Sequence, residues 1–217
     1  MRLIVVSNRL PINISYVDGE PTLNYSVGGL ATGLLSFVDR QKKEDPSCSY
    51  AWVGWPGNVE IDDDLMSKNT LGPDYIPVTL SETEMEKFYE GFCNKTIWPL
   101  FHYFPMFTSY DDSYWEEYVH VNSRFCEKVA EIVKPGDMLF INDYHLFLLP
   151  EMLRKVIPDV KIAFFLHIPF PQYEIFRLLP SVWRKKILEG ILGSDLIGFH
   201  THEYAQYFLR SVLRILG

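Results

Sequence analysis

Met138-Leu139-Phe140-Ile141 runs straight into Asn142-Asp143-Tyr144-His145. The apolar run is short, follows the breaker Lys134-Pro135-Gly136-Asp137, and carries no polar residue on either alternate face. Such a run reads as a strand buried on both sides, the habit of a parallel sheet with helices above and below. Two other stretches repeat the design. Leu3-Ile4-Val5-Val6 ends at Ser7-Asn8-Arg9, and Ile162-Ala163-Phe164-Phe165-Leu166 ends at His167-Ile168-Pro169-Phe170-Pro171. In open α/β sheets ligands bind beyond the carboxyl ends of the strands. The polar clusters therefore stand where a ligand belongs.

Outward from these strands, helical patterns fill the intervals. A first strand is expected over 2–7, and strands over 12–16 and 22–25 flank Asp18-Gly19, a hairpin turn signal. Gly28-Gly29 opens a helix to about Asp39, with Leu30, Leu34 and Phe37 on its apolar face. Core strands are expected over 50–55 and 75–79, with polar loop over 62–72. Ser81-Glu82-Thr83-Glu84 is a capping box for a helix to about Phe92, followed by a turn around Gly91 to Lys95. Asp112 or Ser113 caps a helix to about Val133. Then come strand 138–142, helix 145–156, strand 160–166, helices 172–178 and 181–192, strand 195–199 and a helix from Thr201. This βαβ alternation predicts an α/β fold with a doubly wound, mostly parallel sheet.

The 217 residues suffice for one large domain, and no repeat, low-complexity tract or linker divides them. Hydrophobic content of 47% with 15% aromatics indicates a globular chain. A net charge of −8 argues against nucleic acid, which needs a basic face. Cys48, Cys93 and Cys126 are odd in number and widely spaced, which suggests reduced thiols and neither a disulfide framework nor a zinc knuckle. No signal peptide and no run long enough to span a bilayer is apparent. The expectation is a cytoplasmic protein with no membrane partner. The chain stops directly after a helical pattern, at Leu213-Arg214-Ile215-Leu216-Gly217, which reads as one lobe of something larger.

Several residues are candidates for chemistry. Arg9, just past the first strand, can form a bidentate pair with a phosphate, or a surface salt bridge. Gly28 and Gly29 at a helix start let backbone amides approach an anion, or merely allow a tight turn. Neither a dinucleotide fingerprint nor a P-loop is present, which argues against NAD and ATP. Trp55, Tyr89 and Trp98 suit the C–H faces of a sugar, although aromatics are usually core. Asp143 and His145 lack a third metal ligand nearby in sequence, as do His200 and His202. Asp143 is better placed as an acceptor for a sugar hydroxyl, and His145 as a cap of the next helix. His167 ends a strand and precedes two prolines that stiffen its turn. A satisfied core histidine is the competing reading.

Together these segments resemble the trehalose-6-phosphate synthases. The strings that carry the resemblance are Val5-Val6-Ser7-Asn8-Arg9-Leu10-Pro11, Gly28-Gly29-Leu30, Gly54-Trp55 and Phe88-Tyr89. Ile97-Trp98-Pro99-Leu100-Phe101-His102-Tyr103, Asp143-Tyr144-His145-Leu146 and Phe164-Phe165-Leu166-His167-Ile168-Pro169-Phe170-Pro171 complete the set, in the family's order. The resemblance implies a Rossmann-like N-terminal lobe of a GT-B glycosyltransferase, covering residues 1–217, whose donor-binding C-terminal lobe is absent from this chain. It implies transfer of glucose from UDP-glucose to glucose 6-phosphate with retention, without metal or cofactor. Arg9, Tyr89 and Trp98 match residues that hold the acceptor's phosphate end, and Trp55 and Asp143 match residues on its sugar side. Gly28 and Gly29 match the loop beside the donor diphosphate, and His167 a contact to the donor glucose. His167 and Asp143 are thus the expected catalytic pair. The partners implied are the two substrates and the other lobe, with self-association as a homo-oligomer left open. A synthase with another acceptor, of the glucosylglycerol-phosphate type, is an alternative. So are a catalytically silent regulatory module and a flavodoxin-like ligand domain.

Overall fold

The computed structural model describes residues 2–17, 20–25, 29–44, 48–57 and 75–217. Its frame is a six-stranded sheet of β1 (Arg2–Arg9), β4 (Ser49–Trp55), β5 (Tyr75–Pro77), β6 (Met138–Asn142), β7 (Lys161–Leu166) and β8 (Leu196–Phe199). The strand order is β5-β4-β1-β6-β7-β8, and every pair is parallel. The chain first winds outward from β1 through β4 to β5, then returns to β1 and winds the other way. The order therefore reverses between β1 and β6, as in Rossmann-like sheets. β2 (Ile12–Val17) and β3 (Glu20–Tyr25) form a separate antiparallel hairpin, with Ile12 opposite Tyr25. Asp18 and Gly19, the expected turn, lie outside the described residues.

The helices are α1 (Gly29–Glu44), α2 (Glu82–Glu84), α3 (Trp98–Phe101), α4 (Asp112–Ile132), α5 (Leu149–Val156), α6 (Tyr173–Phe176), α7 (Ser181–Leu192) and α8 (His202–Leu216). A π-helix, Met85–Ile97, joins α2 to α3. Alternation along β1 shows why both sheet faces need cover. Ile4 and Val6 enter the large core with Leu139, Ile141, Ile162 and Phe164, and α4 adds Val121, Phe125 and Val129. Val5 faces the other way and packs with Trp52, Leu10 and Ile12 against Leu34 and Leu35 of α1. Each such side chain, fully buried, contributes about 1.5–3 kcal/mol of transfer free energy. At the opposite end of β1, Arg2 pairs with Asp137 at 2.5 Å and ties the first strand to the turn before β6.

Several expected boundaries shift. Phe37 is exposed and Leu35 takes its place in the packed face of α1, which runs on to Glu44. The capping box at Ser81 forms as expected, with Ser81 N–H donating to Glu84 Oε2 and Glu84 N–H to Ser81 Oγ. The turn expected around Gly91 to Lys95 does not occur, because the helix widens into its π form and passes through. Asp111, not Asp112 or Ser113, caps α4, its carboxylate accepting from Ser113 N–H at 2.8 Å. The expected loop over 62–72 lies outside the described residues. Among the described residues no helix is long and apolar enough to cross a membrane.

Candidate active site at the strand ends

The end of β1 is shaped by Ser7 and Gly54. Ser7 Oγ donates to the Arg9 carbonyl at 2.7 Å and accepts from Trp52 Nε1–H at 2.8 Å. Leu10 N–H donates to the Trp55 carbonyl at 2.8 Å, so the two strand ends remain tied past the regular ladder. A Cβ on Gly54 would lie 2.8 Å from the backbone of Arg9 and Leu10, so only glycine permits this approach. The result is an exposed Arg9 guanidinium 4.8 Å from the centre of the Trp55 ring, within cation–π range. Among the described residues Arg9 has no ion-pair partner. An exposed cation beside an aromatic ring suits a phosphorylated sugar.

From Trp55 an aromatic wall continues. Trp55 and Tyr89 have ring centres 6.2 Å apart, and Tyr89 stacks on His145 at 5.9 Å with planes 13° apart. His145 meets Tyr144 at 4.0 Å, and Tyr144 meets Trp98 at 5.9 Å. In an α-helix, turning about 100° per residue, positions 89 and 98 would project from opposite faces. The wider π turn brings both to this wall. π-helical segments are rare and are frequently found at functional sites.

The polar floor comes from the end of β6. Asp143 has φ of 76°, its N–H donates to the Phe165 carbonyl at 2.8 Å, and its Oδ1 accepts from His167 N–H at 3.2 Å. Burial drives the Asp143 carboxyl up to about 6, against the opposing pull of the Tyr144 and His167 backbone bonds. Burial likewise pushes the His167 imidazole down to about 4, with His200 adding to the effect, so His167 is neutral at physiological pH. His145 is buried and pushed down to about 3 for the same reason. Its expected role as a helix cap is wrong, since α5 begins only at Leu149 and the ring stacks on Tyr89.

Three residues that the sequence reading gave no role hold this floor. Tyr118 of α4 donates its hydroxyl to the Tyr144 carbonyl at 2.7 Å and accepts from Phe147 N–H at 3.0 Å. Asn122 Nδ2 donates to the His145 carbonyl at 3.1 Å. Asn142 joins His167 through its side-chain oxygen at 3.0 Å. The available signal was their type: Asn142 is a polar residue closing an apolar strand, and Asn122 is polar yet fully buried on a helix.

The structure thus brings Arg9, Trp55, Tyr89, Trp98, Asp143 and His167 into one connected set at the ends of β1, β4, β6 and β7. Gly29 is exposed at the start of α1, and Gly28 lies outside the described residues. Among the described residues, no third histidine, cysteine or carboxylate meets Asp143 and His145 at ligand distance. Cys93 is buried behind the floor with its thiol pushed well up by burial, and Cys93 and Cys126 form no disulfide.

The model of glycosyltransferase family 20 matches the chain over residues 1–217. This chain belongs to glycosyltransferase family 20. Within that family it is 48% identical over 220 residues to a bifunctional trehalose-6-phosphate synthase/phosphatase of Thermoproteus tenax, covering 100% of this chain and 30% of the relative. It is 49% identical to UDP-forming alpha,alpha-trehalose-phosphate synthase A of Dictyostelium discoideum, covering 100% of this chain and 28% of that protein. The chain therefore spans under a third of the length of these curated relatives. Two solved family structures share its fold. A UDP-forming synthase from Burkholderia xenovorans in complex with glucose-6-phosphate superposes with a TM-score of 0.78 at 27% identity, over 99% of this chain and 43% of that one. The E. coli protein bound with UDP-2-fluoro glucose gives 0.78 at 29% identity, over 99% and 43%. The fold is that of the N-terminal lobe of a GT-B glycosyltransferase.

Proposed function

We propose that residues 1–217 form the acceptor-binding N-terminal lobe of a UDP-forming alpha,alpha-trehalose-phosphate synthase, which transfers glucose from UDP-glucose to glucose 6-phosphate with retention. The observation that carries this reading is the unbroken line from Arg9 through Trp55, Tyr89, His145 and Tyr144 to Trp98, laid across the point where strand order reverses. It sets the exposed Arg9 cation, suited to phosphate, and the Tyr89 and Trp98 rings, suited to a sugar face, on either side of the buried Trp55, His145 and Tyr144. The Asp143 carboxylate, next to Tyr144, is suited to a hydroxyl. The similar proteins named above support the substrates, since one is in complex with glucose-6-phosphate and another is bound with a UDP-glucose analogue.

In this reading Arg9, Tyr89 and Trp98 hold the acceptor phosphate, and Trp55 and Asp143 face its sugar. Gly28 and Gly29 lie beside the donor diphosphate, and His167 contacts the donor glucose. The bond from the donor's anomeric carbon to the diphosphate breaks. The acceptor's anomeric hydroxyl oxygen bonds to that carbon from the same face, and its proton passes to the departing diphosphate. No nucleophilic carboxylate is required, so positioning and electrostatics supply the rate.

A coupled assay for UDP release by the full-length protein tests the reading. Release that depends on both UDP-glucose and glucose 6-phosphate is expected. Release with glycerol 3-phosphate but not with glucose 6-phosphate, or with neither, overturns it.

A further inference from the structure

Asn142 is fully buried at the last position of β6, and its amide reaches three strand ends at once. Its Nδ2 donates to the Phe140 carbonyl of its own strand at 3.0 Å and to the Val6 carbonyl of β1 at 3.4 Å. Carbonyls only accept, so both contacts require the NH2 group and fix which way the amide points. Its Oδ1 is thereby left facing His167 Nε2, just past β7, at 3.0 Å. An amide oxygen also only accepts, so Nε2 must carry the imidazole hydrogen.

We propose that Asn142 is a positioning residue that locks His167 as its Nε2–H tautomer, so that the other ring nitrogen meets the donor sugar as a hydrogen-bond acceptor. The assignment of the donor sugar as the partner rests on the function proposed above; the tautomer lock does not. A neutral histidine has one donor and one acceptor nitrogen, and the second partner decides which faces the ligand. The low position of the His167 titration keeps the ring neutral, which the lock requires. Asn142 bonds to β1, which carries Arg9, and directly precedes Asp143. One side chain therefore ties the acceptor side of the cleft to the donor contact.

NMR of the ring nitrogens in the histidine-labelled 217-residue chain tests this, with His167 assigned by the signal lost in His167→Gln. A single Nε2–H tautomer is expected in the parent chain, and a mixture of both tautomers in Asn142→Ala. In Asn142→Asp the carboxylate still accepts from Nε2–H and favours the imidazolium, so the titration midpoint should rise by about one pH unit or more. The other ionisable groups near the ring, His200 and Asp143, are unchanged in that variant. An Nδ1–H tautomer in the parent chain, or an unaltered tautomer in Asn142→Ala, overturns the proposal. If Asn142→Ala does not fold, the parent spectrum and the Asn142→Asp titration decide it. UDP-glucose binding by the full-length His167→Ala variant tests the donor assignment separately, because it can fail while the tautomer lock stands.

Discussion

Asp143 is held in a place that costs stability. Its unfolded carboxyl ionises near its ordinary value of 3.8, and in the fold burial raises this to about 6. The native state therefore holds its proton more tightly. The cost of the buried charge is absent below the lower value, grows as pH rises between the two, and is complete above about 6. Asp143→Asn keeps an oxygen to accept from His167 N–H and a residue type that tolerates positive φ, while removing the charge. The variant should melt higher than the parent at pH 7.5 and level with it near pH 3.5, as thermal scans at the two pH values would show. Equal melting at pH 7.5 would mean that the carboxylate is solvated in the fold. The same substitution should weaken glucose 6-phosphate binding, the usual exchange of stability for function. Arg9 makes the opposite case, being exposed and without an ion pair among the described residues. Arg9→Ala in the full-length protein should leave the melting temperature nearly unchanged and weaken glucose 6-phosphate by about 1.5–3 kcal/mol. That loss is roughly ten- to hundredfold in affinity by calorimetry, and an unchanged affinity removes Arg9 from the phosphate site.

The ends of elements, more than their middles, decide this site, and Gly54 shows how. It lets β4 pass so close to β1 that Trp55 comes under Arg9, with Arg9, Leu10 and Ser7 backbone all within 2.9 Å of where a Cβ would stand. Gly54→Ala should cost about 1–3 kcal/mol by overpacking against atoms that cannot swing away. It should also weaken glucose 6-phosphate binding, because Arg9 moves. Gly33→Ala in α1 meets nothing within 4 Å and should be neutral or stabilising by about 1 kcal/mol. Denaturant melts of the pair check this, and equal stabilities would show that the strand ends are looser than their geometry. The parallel strands were legible because apolar runs between breakers have few other solutions, and the Ser81 capping box because it is a local bond. The π-helix was not legible. Gly91 to Lys95 carries turn-like residues, and only packing of Phe88, Phe92 and Ile97 into the core carries the helix through them. Nor was the role of Asn142, since its partners Val6 and His167 lie on other strands. The expected cap role of His145 failed because sequence spacing does not reveal a stacking partner such as Tyr89, which lies on a different element.

At the scale of the whole molecule, six parallel strands with apolar side chains packed on both faces have the makings of a unit that folds by itself. The 217-residue chain should therefore give a folded, cooperatively melting protein. The proposed acceptor contacts Arg9, Trp55, Tyr89, Trp98 and Asp143 all lie within it, so weak binding of glucose 6-phosphate should be measurable, and glucose without its phosphate should bind far less. The donor contacts proposed within it are fewer, Gly28, Gly29 and His167, so UDP-glucose should bind poorly. Transfer needs both substrates held at reacting distance, and positioning of that kind accounts for about 7–11 kcal/mol of a barrier. A cleft that grips one substrate and barely holds the other forfeits most of that term. With both substrates in excess, the isolated chain should show binding of glucose 6-phosphate by calorimetry but no UDP release above background. Robust formation of trehalose 6-phosphate by these residues alone would mean that the donor site is complete within them, and the reading of the chain as an acceptor-binding lobe would fall.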